Sequence, residues 1–226
     1  MNDARKALIG ELVADLTPVA SPGRTGRATG LWLVGAFVWG IAILLATGPL
    51  RPGAIGHLID YPSFAVETVV ALATILAFTF ATFALVIPGR GRPGRLIAIP
   101  AVLFGAWAAI YLIGLEWPAH PVSTLGQRDH CVLEGVLFGL PNVVAMLVVA
   151  RRYHPVWPRL TAAAAALAGA AIPAELMQFG CMYVPKHILL EHLGPAVLTA
   201  LVAAALGPLI LKPRMPQLAR HRGRPH

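Results

Sequence analysis

The chain has 226 residues, of which 57% are hydrophobic and 12% charged, and its mean hydropathy is +0.71. So few charged side chains cannot solvate a soluble domain of this length, which excludes a water-soluble fold and makes a bilayer the natural solvent. The net charge of +8 is scattered over short basic segments without interleaved aromatic residues; it gives no support to direct nucleic acid binding and is explained by membrane topology and contact with anionic lipid.

Residues 1–30 read as a cytoplasmic arm. Leu8, Ile9, Leu12, Val13 and Leu16 recur at helical spacing, with Glu11 and Asp15 on the polar side, which predicts one short amphipathic helix. Pro18 and Ser21-Pro22-Gly23 end it and link it to the first span. Helices that lie on a lipid surface carry Lys and Arg on their polar side, whereas this one is largely acidic, so a protein partner is favoured over the inner leaflet.

Six apolar runs come next: Leu31 to Leu50, Phe64 to Ile87, Leu96 to Trp117, Val132 to Ala150, Leu160 to Phe179 and Ile188 to Leu211. Each has roughly the 20 residues a helix needs to cross the hydrocarbon core, and each must be helical to satisfy its own backbone there. The expected fold is therefore an all-α integral membrane protein: arm 1–30, six-helix bundle 31–211, basic tail 212–226. A cleaved leader is not expected, because the first run comes after thirty mostly polar residues and precedes five more spans.

Of the 18 Lys and Arg residues, only Arg51, Arg128 and Lys186 fall on one side of the bundle. Positive charge is retained in the cytoplasm, so both termini are expected inside a bacterial inner membrane, with the connectors near residues 51–63, 118–131 and 180–187 outside. The Ala-rich stretch Thr161 to Ala171 suits close helix packing.

That topology puts the only two cysteines at the outer surface, Cys131 opening the fourth span and Cys181 just after the fifth, where antiparallel neighbours can bring them together. Three uses fit two thiols facing an oxidising compartment: a permanent disulfide, a switchable redox pair, or metal ligation with His130, His187 or His192. The switchable pair is preferred. Cys131 sits at a helix N-terminus beside His130, which favours thiolate, while Cys181 sits at a C-terminus; the expected order is attack by Cys131 and resolution by Cys181. Glu134 lies one turn below Cys131, and Glu175 with Gln178 shares the face of Cys181, a candidate polar pocket around the thiols. Glu134, Glu67 and Glu191 also suit an interfacial position close to water.

Leu12, Asp15, Leu16, Pro18 and Val19, together with the placement of Cys131 and Cys181, resemble the NrsF (negative regulator of sigma F) family of six-span bacterial anti-sigma factors. Its LxxDLxPV signature matches the arm, and the likeness spans nearly the whole chain. The resemblance implies that the arm, with Leu8, binds an extracytoplasmic-function sigma factor, released when an oxidant or toxic metal acts on the cysteines. The chain departs from the family pattern after the second cysteine, where Cys181-Met182-Tyr183-Val184-Pro185-Lys186-His187 replaces a more acidic Cys-Pro-Glu-Asp-like run. His187 is there a candidate soft-metal ligand beside Cys131 and Cys181.

The rivals are a membrane thiol oxidoreductase and a small transporter. A thiol relay between two disulfides needs four cysteines, and the two present are 50 positions apart without a Cys-x-x-Cys. A transporter rests only on Glu67 and Glu175 in spans. No nucleotide loop, zinc-protease or hydrolase motif occurs, so neither catalysis nor a cofactor is expected.

Overall fold

A computed structural model describes residues 3–14, 25–118 and 120–212. The arm opens with α1 (Asp3–Ala14), followed by α2 (Thr25–Thr47), the single turn α3 (His57–Asp60), α4 (Pro62–Leu85), α5 (Pro93–Gly114), α6 (Cys131–Arg151) and α7 (Pro158–Gly180). The last span is composite: a short α8 (Pro185–His187), a π-helical turn over Ile188–Leu193, and α9 (Gly194–Ile210). Six of these helices are long and apolar enough to cross a membrane, and the protein is an all-α multi-pass membrane protein.

The spans begin earlier than the apolar runs. Prolines at residues 62, 93, 158 and 185 stand in the first turn of α4, α5, α7 and α8, where a missing N–H costs nothing and the fixed φ suits the helix. The first span likewise starts at Thr25, inside the segment expected to be arm. Most spans end earlier too, at Thr47 before Gly48-Pro49 and at Leu85 ahead of Pro88.

The most buried span is α7, with most of its residues enclosed by α2, α4, α6 and α9. Its alanines allow this: a Cβ on Gly169 would lie 2.7 Å from the Val143 backbone N in α6, and one on Gly207 in α9 would lie 2.6 Å from the Pro158 carbonyl. Small residues permit such backbone approach, and dispersion contacts then hold helices that lipid alone would not drive together. At the periphery, α2 contributes a single inward stripe of Thr29, Trp32, Ala36, Gly40 and Leu44. Its indoles donate to α6 carbonyls, Trp32 to Asn142 at 3.1 Å and Trp39 to Phe138 at 2.9 Å. The outward faces carry exposed Leu31, Val38, Val69, Val102, Leu133 and Leu201, the apolar exterior that lipid requires.

The bundle has two chemically different ends. The 86–92 and 152–157 connectors meet around Leu85, Pro88, Gly91 and Trp157, and Arg151, Arg152, His154 and Lys212 line one groove nearby. The opposite end gathers the 48–56, 115–130 and 181–184 connectors. An isolated antiparallel bridge between Ser123 and Tyr183 stitches two of them together, and the Arg51 backbone N–H donates to Phe179 O at 2.7 Å.

Candidate functional site

Cys131 is the first residue of α6 and Cys181 the first after α7, so the packing of those antiparallel helices sets their sulfurs side by side, 2.9 Å apart. Both are free thiols. They lie at the expected end of the bundle but beneath its surface, with 1% and 0% of their area exposed. A small apolar cluster of Leu44, Phe138 and Met177 encloses them.

Two imidazoles complete the surroundings. His187 Nε2 stands 3.2 Å from Cys181 Sγ, while its Nδ1 pairs with Glu191 Oε1 at 3.1 Å. His192 approaches from the same element, its ring centroid 5.0 Å from that of His187. Five residues make about 1.4 turns of α-helix, which would carry His192 to another face. The π-helical turn closes its hydrogen bonds over five residues and brings the second ring round; such turns concentrate at functional sites. The Cys181 thiol is held below its usual range, first by the hydrogen bond from Cys131 and then by His187 and His192, against burial, which opposes the shift.

Arg128 lies over the dithiol. It donates to Gly180 O at 3.1 Å and Thr47 Oγ1 at 3.2 Å, and its ion pair with Glu134 measures 3.1 Å. It thereby ties the ends of α2 and α7 to the start of α6. Its own carbonyl, 3.5 Å from the Cys131 sulfur, is the alternative acceptor for that thiol's one proton. A pocket of about 400 Å³ opens beside it, lined by Thr47, Pro49, Arg128, His130, Glu134 and Gly180 among others.

A second polar cluster runs into the bundle from the same end. Glu67 is fully buried rather than close to water. Its Oε1 accepts from the Tyr183 hydroxyl at 2.7 Å and its Oε2 from Tyr111 at 3.3 Å. Burial, then the Glu67 charge, raises the Tyr183 phenol above its usual range, so it stays protonated and donates. His120 stacks on the Tyr183 ring with centroids 3.4 Å apart; burial first and Arg51 second push its imidazole down to about 4, leaving it neutral. Arg51 is itself buried and lies 5.8 Å over the Phe64 ring, and that burial lowers its guanidinium from the usual value.

Of the residues singled out from the sequence, Cys131, Cys181, His187 and His192 come together. Glu134 flanks them through Arg128 rather than by contact with a thiol. Glu175 and Gln178 form their own buried pair, Gln178 Nε2 donating to Glu175 Oε2 at 2.9 Å, and His130 is exposed at the pocket rim. Arg128, Tyr111 and Tyr183 went unnoticed as site residues; a lone arginine next to a helix-opening cysteine was the one signal for the first. In the arm, Leu8 is exposed on α1. The side chain of Leu12, and Asp15, Leu16, Pro18 and Val19 altogether, lie outside the described residues, as does the tail beyond Lys212.

Fold and site together define a polytopic helical membrane protein with a buried dithiol at one end and a basic rim at the other, the parts of a regulator. The chain belongs to the family described as NrsF, negative regulator of sigma F, whose model matches residues 12–212. It is thus an anti-sigma factor, with a sigma factor as its partner and a regulatory, non-catalytic role indicated. No curated protein and no solved structure matches it.

Proposed function

We propose that this anti-sigma factor holds an extracytoplasmic-function sigma factor at the bacterial inner membrane, and that oxidation of Cys131 and Cys181 on the periplasmic side releases it. The arm supplies the cytoplasmic grip through Leu8, Leu12, Asp15, Leu16, Pro18 and Val19, with both termini inside as the basic residues favour. The observation that carries the reading is the enclosed sulfur pair, 2.9 Å apart, on the two helices whose far ends meet at the basic connector 152–157.

With a peroxide as oxidant, one sulfur attacks a peroxide oxygen and becomes a sulfenic acid as the O–O bond breaks and water or alcohol leaves. The second sulfur then attacks the sulfenic sulfur, and water leaves as the disulfide forms. The two thiols lose two electrons and two protons in all. His187 beside Cys181 can take the proton of the first step, so Cys181 attacks and Cys131 resolves, the reverse of the order expected from helix ends. Of the polar surroundings, His187 and His192 stand next to the pair, Glu134 flanks it through Arg128, and Glu175, Gln178 and His130 lie further out.

Release is a free-energy requirement: taking occupancy from 99% to 1% needs about 5.5 kcal/mol between the two states. A cross-link that repositions α6 against α7 can bias a packed interface on that scale. The experiment is affinity capture of the tagged protein from cells before and after peroxide. A co-purifying sigma factor that departs as the two thiols become resistant to alkylation supports the reading. Capture that persists with both thiols oxidised refutes it.

A further inference from the structure

The four donors Cys131 Sγ, Cys181 Sγ and one ring nitrogen each of His187 and His192 all lie within 4.8 Å of one another, on side chains that are all buried. The geometry points to a four-coordinate metal site of two thiolates and two imidazoles, built for a d¹⁰ cation of the zinc class.

Distances come first. With metal–sulfur bonds of about 2.3 Å and metal–nitrogen bonds of about 2.0 Å, the edges of a tetrahedron run to about 3.3–3.8 Å. The observed 2.9 Å between sulfurs and 3.2 Å between Cys181 Sγ and His187 Nε2 reach those edges with movements under about 1 Å. The donor chemistry selects the ion: sulfur and imidazole without any coordinating carboxylate or carbonyl suit Zn²⁺ or Cd²⁺ and reject Mg²⁺ and Ca²⁺.

The outer sphere is also in place. Metal-bound histidines donate their second ring N–H to a carboxylate, which fixes tautomer and orientation. Glu191 at 3.1 Å from His187 Nδ1 does this and leaves Nε2 turned to the sulfurs. His192 supplies the independent sign. It is 3% exposed, and although it lies close enough to Cys181 to act on that thiol, neither ring nitrogen has a partner in good hydrogen-bonding geometry, a buried polar group that a metal bond would satisfy. Two thiolates also neutralise the dication, so the filled site carries no net charge into its apolar surroundings.

Binding displaces two thiol protons and forms two metal–sulfur bonds without a change of oxidation state. A disulfide takes two electrons from the same sulfurs, so the two states exclude each other. As a regulatory device this rests on the thiol-switch reading above; as a binding site it does not.

The test uses the full-length protein in detergent, reduced, stripped with chelator and titrated with Co²⁺. One equivalent should bind with thiolate-to-cobalt charge-transfer and tetrahedral d–d absorption, and one equivalent of Zn²⁺ should displace it. Cys131→Ser and Cys181→Ser should each abolish the charge-transfer intensity of one sulfur and weaken binding about 100-fold or more, and Glu191→Gln should weaken it about 10–100-fold. His192→Leu, similar in volume, should lose the tetrahedral spectrum while circular dichroism keeps its helical signature. Wild-type protein that binds no Co²⁺, or binds it without sulfur charge transfer, overturns the site. So does binding unchanged in both Glu191→Gln and His192→Leu, which would remove the second imidazole and the supporting carboxylate from the four-donor set. Peroxide treatment of the stripped protein separates the two readings: a disulfide in protein that takes up no metal ends the metal site and spares the switch. Metal uptake in protein whose Cys→Ser variants still release the sigma factor in cells does the opposite.

Discussion

The arm and the cysteine end are opposites in burial. Every described side chain of α1 is exposed, including Leu8 at 55% and Val13 at 59%, whereas none of Cys131, Cys181, His187 and His192 exceeds 6%. An exposed apolar stripe on a polar segment is a surface without its counterpart; the buried thiols and imidazoles are enclosed by the bundle itself. The contrast suits a division of labour in which one end gains and loses a whole protein and the other changes only the bonds of two sulfurs.

The largest expected effect breaks the arm and leaves the cluster alone. Leu12→Asp with Leu16→Asp removes two apolar anchors, each worth about 1.5–3 kcal/mol when buried in an interface. Sigma factor retention should fall by on the order of 100-fold or more without oxidant. Membrane levels and thiol alkylation should match the unmodified protein. Retained capture would move the grip to the basic groove of Arg151, Arg152 and Lys212.

The reciprocal change comes next in size. Cys131→Ser and Cys181→Ser should each remove the transcriptional response to peroxide while leaving resting retention within about twofold, and the double variant should be no worse than either single, because sites acting as one unit are not additive. Strictly additive losses would mean two independent thiols. Loss of both single variants from the membrane would mean a permanent structural disulfide.

The legibility of the sequence divides in the same way. Six spans are readable because apolar runs of such length have one solution in lipid, yet hydropathy places four of their starts two or three residues late, because prolines 62, 93, 158 and 185 resemble connectors and are in fact first turns. The meeting of Cys131 and Cys181 across 50 positions comes from hairpin topology alone. His192 is one of three histidines that suit a ligand role, and what singles it out is the π-helical turn at Ile188–Leu193, which leaves no trace in a 3.6-residue period. The burial of Glu67 is illegible for another reason: its donors Tyr111 and Tyr183 stand 44 and 116 positions away, and only the folded bundle delivers them.

A smaller effect probes how the cluster is closed. Arg128→Ala removes the side chain that joins Thr47, Glu134 and Gly180. Hydrogen bonds to a charged group contribute about 1.5–3 kcal/mol each, so losing this lid should raise the rate at which an impermeant reagent alkylates the buried thiols by about 10–100-fold. Sigma factor capture at rest should hold. An unchanged alkylation rate would show that solvent reaches the sulfurs by a route other than the pocket beside Arg128.

The smallest expected effect decides how the two ends communicate. Tyr183 stands two residues after Cys181, is bridged to Ser123 by two backbone hydrogen bonds of 2.9 and 3.0 Å, and reaches Glu67 in α4 through its hydroxyl at 2.7 Å. A shift of the Cys181 backbone therefore has two carriers, α7 directly and α4 through Tyr183. Tyr183→Phe takes one donor from a buried carboxyl and should cost about 1–3 kcal/mol in thermal unfolding in detergent; Tyr111→Phe, which removes the longer bond at 3.3 Å, should cost less. The informative quantity is the coupling of Tyr183→Phe with Glu67→Gln, measured on the midpoint of the peroxide response rather than on stability, because a contact that merely packs the bundle would move only the latter. A coupling above about 0.5 kcal/mol makes α4 part of the path from sulfur to arm. Additive midpoints would confine that path to α7, whose alanine faces touch α2, α4, α6 and α9 and carry the shift as rigid helix motion.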